Sequence, residues 1–245
     1  MDIQDFHNAL QGFLTANSVD EITRLCRLQS QQLGFDAFVY ALRIPTRVSE
    51  ARLIVINGYP EAWINHYFES DFNLHDPVLD YCKKHVVPIE WHVMGLSKSA
   101  ESARVMNEAT EFGLKFGISV PVHTPHGELG VLSLALDQRL VAAHGITQRA
   151  LPYAQLMASY VHEAVCRVFS LGGKGEESTL TAREQECLRW AADGKTSWEI
   201  AQLLNLSERT VNFHLNNATI KLDACNRQHA VVRAVLNGLI QHRPF

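Results

Sequence analysis

One C-terminal stretch constrains this chain most, because it fixes where successive short helices begin and end. Thr181 with Glu184, and Thr196 with Glu199, have the spacing of capping boxes. In a capping box the hydroxyl and the carboxylate each accept a hydrogen bond from a free N–H at the start of a helix. Gly194 favours the end of the first helix, since glycine adopts a left-handed cap without strain.

The next turn and helix continue the pattern. Asn205 tolerates a left-handed turn and Ser207 is a good N-cap, so two short helices meet at a tight turn, as in a helix-turn-helix. The helix after the turn has one apolar stripe, formed by Val211, Leu215, Ala218 and Leu222. Its opposite face carries Arg209, Asn212, Phe213, Asn216 and Asn217.

The polar face of this helix suits the major groove of DNA. Asparagine pairs with adenine through two hydrogen bonds, arginine does so with guanine, and an apolar side chain packs on the thymine methyl group. Asn212 and Asn216 are one turn apart and are the expected base readers. Phosphate contacts are expected from Arg209, Lys195, Lys221 and Thr210, and Thr196 completes the predicted DNA-binding set. The alternative is a solvated helix face that happens to contain asparagine.

Charge supports DNA binding only when it is divided along the chain. The 245 residues carry a net charge of −4, which is unusual for a DNA-binding protein. From Leu180 onward there are 8 basic and 6 acidic residues, whereas the preceding residues hold 14 basic and 20 acidic ones. The asymmetry has the right sign but is mild, so we expect dimerisation to be needed for tight binding at physiological salt.

Composition excludes several other classes of protein. No apolar run approaches the roughly 20 residues that span a bilayer, and the N-terminus lacks the basic region of a signal peptide, so a cytoplasmic protein is expected. The five cysteines are odd in number and far apart, which disfavours a disulfide framework or a zinc motif; each is expected to be buried. His123 and His126 lack ligand partners at a recognised spacing, and we expect no metal and no cofactor.

The first 170 residues have a mixed pattern of helices and strands. Helices are predicted at 3–15, 19–33, 61–69, 76–84, 99–112 and 148–169, and strands at 35–43, 52–57, 88–91, 117–122 and 129–136. Residues 171–179 have the Gly-rich polar composition of a linker. The predicted fold is therefore α+β, with an α/β/α sandwich around an antiparallel sheet of about five strands in 1–170 and a four-helix all-α domain in 180–245.

Large aromatic residues surround one acid in the first domain. Tyr59, Trp63, Tyr67 and Trp91 flank Asp76, which precedes a proline. A buried aspartate needs strong hydrogen bonds, which a ligand N–H would supply, and an indole N–H suits a ligand carbonyl. These groups fit an apolar molecule with a compact polar head. The alternative is that the aromatic residues are core and that Asp76 only caps a helix.

Both halves of the chain resemble the LuxR family of quorum-sensing transcription factors. The C-terminal match comprises Leu180, Thr181, Glu184, Leu188, Gly194, Lys195, Thr196, Glu199, Ile200, Ala201, Thr210, Val211, Phe213 and His214. The N-terminal match comprises Trp63, Tyr67, Asp76, Pro77, Trp91 and Gly117. The resemblance implies an N-acyl homoserine lactone-binding domain, a homodimer and an inverted-repeat site on double-stranded DNA.

The resemblance also implies a role for each residue at the ligand. Trp63 would donate to the lactone carbonyl and Asp76 would accept from the amide N–H. Tyr59 and Ser133 would bind the amide carbonyl, whereas Tyr67 and Trp91 would wall the head group. The acyl chain would lie along Val39, Ala41, Leu79, Cys82, Leu129 and Val131.

Two positions depart from the pattern of some relatives. Ile64 stands where some carry an arginine, and Val78 stands where some carry a hydroxyl. Both changes remove polar partners near the first acyl carbons, so we expect no specific recognition of a 3-oxo group. Helices at 148–169 and 229–240 are candidates for dimer contacts, although packing on its own sheet would equally explain the first.

The expected function is a quorum-sensing transcription factor that binds an acyl homoserine lactone and, as a dimer, regulates transcription, with RNA polymerase as a possible partner. Three alternatives stay open. An orphan receptor would sense a non-self or non-lactone signal. An inhibitory or ligand-independent regulator would dimerise with another protein. A lactone hydrolase would use the tyrosine, aspartate and tryptophan side chains of the pocket, with His75 and His92 nearby, but no nucleophile motif and no metal spacing supports it.

Overall fold

The computed structural model describes residues 3–46, 50–92, 99–125, 127–138, 140–169 and 180–240. The chain divides into two compact units, one with most of the first 172 residues and the other with the C-terminal part. The predicted linker 171–179 and His126 lie outside the described residues. None of the described helices is both long enough and apolar enough to span a membrane.

The larger unit is built on one five-stranded sheet. Its strands are β1 (Ala37–Pro45), β2 (Ala51–Asn57), β3 (Ile89–Glu90), β4 (Phe116–His123) and β5 (Leu129–Leu136), in the order β2-β1-β5-β4-β3. β5 pairs antiparallel with both β1 and β4, and β3 pairs antiparallel with β4. The turn between β4 and β5 uses Gly127 at φ 82°, a left-handed value that glycine adopts without strain. The predicted antiparallel sheet is confirmed.

Helices cover the sheet. They are α1 (Ile3–Thr15), α2 (Val19–Gln32), α3 (Glu61–Glu69), α4 (Pro77–Cys82), α5 (Ala100–Glu111) and α6 (Leu140–Val168), with a short 3-10 helix at Phe72–Leu74. α1, α2 and α6 form one layer, in which α6 contacts both β4 and β5. α3, the 3-10 helix, α4 and α5 contribute to a second apolar cluster with the other face of the sheet. The predicted α/β/α sandwich is thus confirmed.

Helix α6 begins eight residues before the predicted start at Gln148. Gly145 and the β-branched Ile146 and Thr147 are poor helix formers, so local propensity favours a later start. Ala143 and Thr147 are both 1% exposed, and this burial outweighs propensity. Pro152 lies inside the same helix.

The smaller unit contains α7 (Ala182–Ala192), α8 (Ser197–Leu204), α9 (Glu208–Lys221) and α10 (Arg227–Leu236). Both predicted capping boxes are present, at Thr181 with Glu184 and at Thr196 with Glu199. Asn205 ends α8 at φ 53°, and the Ser207 side chain accepts from the N–H of Thr210. The predicted helix-turn-helix is confirmed.

Four cysteines are buried, as expected, but Cys225 is exposed. The expectation that every cysteine is buried is therefore wrong at this position. Cys225 follows α9 in the connection to α10, where neither helix covers its side chain.

One carboxylate stabilises the smaller unit from its interior. Glu184 is 2% exposed, accepts from the backbone N–H of Thr181 at 2.7 Å and accepts from Lys221 Nζ at 2.8 and 3.0 Å. Burial acts to raise the pKa of Glu184, but the hydrogen bonds from Lys221 and Thr181 outweigh it, so the pKa lies below its ordinary value of 4.5. The start of α7 is thereby tied to the end of α9.

We expect Lys221→Met to destabilise the smaller unit by about 2 kcal/mol, because it leaves a buried carboxylate without its cation. That corresponds to a fall of about 10 °C in the melting temperature of a unit of this size, measurable by scanning calorimetry of the full chain. The depressed pKa makes this stabilisation fully present above the ordinary value of 4.5. It is lost as the pH falls through the folded-state pKa, so wild type and variant should converge in acid.

Arg209→Met is the matched control, since it removes an exposed cation from the same helix α9. It should change the melting temperature little. Equal melting temperatures for Lys221→Met and Arg209→Met at neutral pH would show that the ion pair with Glu184 contributes no stability.

Candidate ligand-binding site and DNA-reading surface

The register of the sheet brings distant residues onto one face. Val39 of β1 lies opposite Ser133 of β5, which in turn lies opposite Ser119 of β4. Because side chains alternate along a strand, residues two positions away share that face. The same face therefore carries Ala37, Ala41, Leu129, Val131, Ala135 and Gly117. The opposite face packs Phe38, Tyr40, Leu132 and Leu134 into the main core.

Asp76 occupies the N-cap of α4 and receives three hydrogen bonds. Its Oδ1 accepts from the N–H of Val78 at 2.8 Å and of Leu79 at 3.3 Å, and its Oδ2 accepts from the Tyr67 hydroxyl at 2.7 Å. Desolvation raises the pKa of Asp76, although these hydrogen bonds act against it. A carboxylate has about four acceptor positions, so one on Oδ2 remains for a further donor. Asp76 caps the helix and also has capacity to bind a ligand N–H.

Tyr59 presents a hydroxyl that is shielded from solvent. The oxygen makes no well-aligned hydrogen bond with the described residues, although the Ser133 hydroxyl lies close enough to act on its pKa. Burial, followed by the nearby Asp76 carboxylate, raises the pKa of Tyr59 far above its ordinary value, so the group is a neutral phenol. A buried hydroxyl without a partner is costly, and a ligand carbonyl would relieve that cost.

A chain of hydrogen bonds joins three buried side chains across the sheet. The Trp91 indole N–H donates to Ser119 Oγ at 2.9 Å, and Ser119 Oγ lies 2.7 Å from Ser133 Oγ. Sequence reasoning missed Ser119, although a signal was present. A hairpin centred on residue 126 places 119 opposite 133, so two serines inside apolar strands would face each other.

Trp63 lies at the centre of the aromatic wall. It is 4% exposed, and its ring centroid is 5.7 Å from Tyr67, 6.0 Å from Phe72 and 5.4 Å from Phe112. Phe72 and Phe112 were not predicted as wall residues, since they lie at the ends of separate elements. Trp63, Tyr67, Trp91 and Tyr59 all belong to one apolar cluster, so the structure brings the predicted aromatic residues together.

The predicted acyl-chain residues also border this cluster. Leu79, Cys82, Leu129 and Val131 belong to it, and Val39 and Ala41 lie on the same sheet face by register. Ile64 and Val78, the two departures from the pattern of some relatives, pack in the same cluster. The region near the predicted amide-binding groups is therefore more apolar than an arginine and a hydroxyl would make it.

The polar face of α9 is open to solvent. Arg209, Asn212, Phe213 and Asn216 are exposed, whereas Thr210 and Asn217 are half-buried. Phe213 is 60% exposed and lies among these polar side chains. Val211, Leu215, Ala218 and Leu222 are buried on the other side. The predicted division of this helix into two faces is confirmed.

Two residues that sequence reasoning missed, Ser197 and Arg227, support the polar face of α9. Ser197 donates through its hydroxyl to Asn212 Oδ1 at 2.6 Å. Arg227 of α10 donates to Ser197 Oγ at 3.2 Å and to the Lys195 carbonyl at 2.6 Å. Arg227 thus fixes the start of α8, and Ser197 orients the side chain of Asn212.

The remaining predicted DNA contacts differ in their surroundings. Lys195 is half-buried and Thr196 is exposed, both at the start of α8. The Thr196 hydroxyl is engaged with Glu199 in the capping box. Lys221 is engaged with Glu184 at the far end of α9, so a phosphate contact would compete with that ion pair.

Two family models match this chain. The autoinducer binding domain matches residues 18–165, and the luxR family of bacterial regulatory proteins matches residues 178–234. Among curated proteins, the transcriptional activator AhyR of Aeromonas hydrophila is 34% identical over 238 residues, covering 94% of this chain and 90% of AhyR. The transcriptional activator SolR of Ralstonia solanacearum is 36% identical over 238 residues, covering 96% and 99%.

Solved structures of SdiA have a similar fold over nearly the whole chain. The crystal structure of Escherichia coli SdiA superposes with a TM-score of 0.78 at 28% identity, covering 98% of this chain and 99% of SdiA. SdiA in complex with octanoyl-rac-glycerol superposes with the same TM-score and identity, covering 98% and 97%.

We expect Gly117→Ala to destabilise the larger unit by about 1–3 kcal/mol, because the added Cβ overpacks a filled site. That atom would lie 2.4 Å from the Leu134 carbonyl oxygen and 3.0 Å from the Trp91 ring. The backbone oxygen cannot move away cheaply, so the indole should shift, and a change in tryptophan fluorescence should accompany the lower melting temperature.

Gly145→Ala is the control, since its Cβ would meet only Arg149 Nη1 at 3.6 Å, inside helix α6. It should leave stability unchanged or raise it. A Gly117→Ala variant as stable as Gly145→Ala would contradict the close packing of Trp91 on β4.

Proposed function

Because the chain belongs to the LuxR family of autoinducer-binding transcriptional regulators, we propose that it binds an N-acyl homoserine lactone and, as a homodimer, reads inverted-repeat promoter DNA. The relatives are transcriptional activators rather than enzymes, and we assign no catalytic residue. We assign residues 1–170 as the ligand-binding and dimerisation domain, 171–179 as the linker and 180–245 as the DNA-binding domain.

One observation carries the ligand proposal. Asp76 keeps an acceptor position on Oδ2, and the shielded Tyr59 hydroxyl, beside Ser133, makes no well-aligned hydrogen bond with the described residues, within a single aromatic-walled cluster. An acyl amide offers one N–H and one carbonyl, which match these two groups. Ser133 supplies a second hydroxyl to the carbonyl, and Trp63 would donate its indole N–H to the lactone carbonyl. The apolar residues from Val39 to Val131 would hold the acyl chain.

A second ligand class is favoured by one comparison. SdiA was solved with octanoyl-rac-glycerol, which has an acyl chain and a polar head but neither an amide nor a lactone ring. A glycerol hydroxyl would donate to Asp76 and the ester carbonyl would accept from Tyr59. If the protein is an orphan receptor, an acylglycerol is therefore the candidate ligand for the same residues.

Ligand binding would control DNA binding by increasing the stability of the larger unit. A ligand that binds only the folded state stabilises it by about 2.7 kcal/mol at a hundredfold excess over Kd. The ligand would bond to the Tyr59 hydroxyl, would use the remaining acceptor position of Asp76 and would complete the apolar cluster between α3, α4 and the sheet. The more stable unit would then support dimerisation.

Dimerisation would double the DNA contacts of a mildly charged reader. Helix α10 presents Val232 and Val235 to solvent, 37% and 51% exposed, while Ala230 and Ala234 face its own core. Two valines at i, i+3 suit a self-complementary helix contact. We place the contact between the two readers there, and RNA polymerase remains a proposed partner of the bound dimer.

We expect an N-acyl homoserine lactone of matching chain length to raise the melting temperature of the larger unit by about 5–10 °C at a hundredfold excess over Kd. Asp76→Asn should weaken binding by about 10–100-fold, because a charged acceptor for the amide N–H is lost. The measurement is a thermal-shift panel of lactones of graded chain length, paired 3-oxo forms and octanoylglycerol, each variant compared with its own ligand-free state.

Asp80→Asn is the matched control, because Asp80 lies on the same helix α4 and its side chain is 53% exposed in a surface pair with Lys83. It should retain the full shift. A shift with octanoylglycerol but with none of the lactones would transfer the assignment to the acylglycerol class. A shift in Asp76→Asn as large as that of wild type at the same ligand concentrations would remove Asp76 from the binding site.

We expect Asn216→Ala to abolish a preference for adenine at one position of each half-site, at a cost of about 1–3 kcal/mol per half-site. Asn212→Ala should have the same kind of effect at a neighbouring position, although its Oδ1 already accepts from Ser197. The measurement is selection of sites from random DNA with the purified protein, followed by titration of the selected duplex.

Asn237→Ala serves as the control, since Asn237 is an exposed asparagine at the end of α10 and is not part of α9. It should select the wild-type site with the same affinity. Identical site preferences for Asn216→Ala and wild type would show that α9 does not read bases through this residue.

A further inference from the structure

Two histidines and one glutamate converge outside the predicted ligand-binding cluster. Within the described part of the chain, Glu90, His92 and His144 each offer a ligand atom, and these atoms lie within 4.8 Å of one another. Glu90 is in β3 and His92 follows it by two residues, whereas His144 comes from the first turns of α6. We propose that these three side chains form a binding site for a divalent transition-metal ion, with Zn2+ as the expected occupant.

The distances suit a metal ion better than hydrogen bonds. Glu90 Oε2 lies 3.7 Å from His92 Nδ1 and 3.6 Å from His144 Nδ1. Both separations exceed the range of about 2.7–3.2 Å for an N–H···O hydrogen bond. In a tetrahedral zinc site with bonds of about 2.0–2.2 Å, donor atoms lie about 3.3–3.5 Å apart. The two imidazole nitrogens lie within 4.8 Å of each other, and the His92 and His144 side chains are 23% and 54% exposed, so a movement of these two rings would complete that geometry around one ion.

The carboxylate is held in place as a metal ligand would be. Glu90 is 8% exposed, and its Oε2 accepts from the Thr147 hydroxyl at 2.6 Å. Its Oε1 accepts from the Gln148 side-chain amide. Outer hydrogen bonds of this kind orient the ligands of metal sites and are needed for affinity. His144, Thr147 and Gln148 are at i, i+3 and i+4, so one face of α6 supplies a ligand and both supports.

The donor set indicates the class of metal. Two imidazoles with one carboxylate are a zinc combination, and they leave a fourth position for water. Imidazole also suits copper, nickel and iron, whereas Mg2+ and Ca2+ prefer oxygen ligands alone. No thiol takes part, so the site does not depend on the redox state of the five cysteines.

The location gives the site a structural consequence. Glu90 pairs with Ile118 and faces the main core side of the sheet, whereas the next residue, Trp91, faces the predicted ligand-binding cluster. A metal ion held by Glu90 and His92, which flank Trp91 in sequence, and by His144 would join the end of β3 to α6. Metal binding should therefore stabilise the segment that carries Trp91 against the sheet.

The test needs neither lactone nor DNA. Untagged full chain, in a Cys225→Ser background that removes the exposed thiol, is titrated with Zn2+ by calorimetry after removal of metals. A separate metal-free sample is titrated with Co2+, because its visible absorption bands report four-coordinate geometry and Co2+ would not displace bound Zn2+. We expect one saturable ion per chain and a higher melting temperature of the larger unit. His92→Ala and His144→Ala should each weaken binding by at least about 100-fold, beyond the loss typical of outer-shell changes.

Two further variants make the result specific. His75→Ala removes an exposed histidine of the same unit and should leave the affinity unchanged. Thr147→Val preserves the side-chain shape but removes the hydroxyl that supports Glu90, and it should weaken binding by about tenfold. The proposal is overturned if wild type binds no Zn2+ at low micromolar concentration. It is equally overturned if His92→Ala and His144→Ala, folded by circular dichroism, bind as tightly as His75→Ala.

Discussion

Both faces of the central sheet are covered, and this constraint determines where a ligand can bind. Every residue of β5 is buried, so side chains of both parities must find a packing partner. Side chains on one face, such as Leu132 and Leu134, pack with the large apolar residues of the core beneath α6. The other parity carries alanines, serines and a glycine, which leave room for the aromatic residues of α3 and of the segment after β3. The polar groups that we assign to the ligand head lie where small side chains meet large rings.

The sequence separation of interacting residues explains how much of the fold the sequence could predict. Capping boxes, the left-handed Asn205 and the Ser207 cap depend on residues within four positions of each other, so spacing alone located the reader. β1, β4 and β5 were also readable from local features, namely a loose alternation in β1 and the hairpin turn that joins β4 to β5. The start of α6 was missed because burial of Ala143 and Thr147 is a property of the tertiary fold. Cys225 was misplaced because a small residue in a connection has no helix face to indicate its exposure.

Long-range pairs were the least accessible to sequence reasoning. The contacts between Glu90 and His144, between Ser197 and Arg227, and between Glu184 and Lys221 join residues 30 or more positions apart. Histidine spacing drew attention to His123 and His126, whereas the histidines that converge in space come from a strand end and a helix. The roles of Tyr59, Trp63, Tyr67 and Asp76 came from the resemblance to a family. The structure adds which of their atoms are already occupied and which are available.

Gly117 illustrates how such close packing limits change over evolution. A Cβ at this position would collide with the Leu134 carbonyl and with the Trp91 ring, so the position is closed to other residues while the indole keeps its place. Replacing the indole would remove only the second of these collisions, because the Leu134 carbonyl belongs to the backbone of β5. Ligand preference at this wall should therefore diversify through the rings that pack on Gly117, while position 117 itself stays glycine.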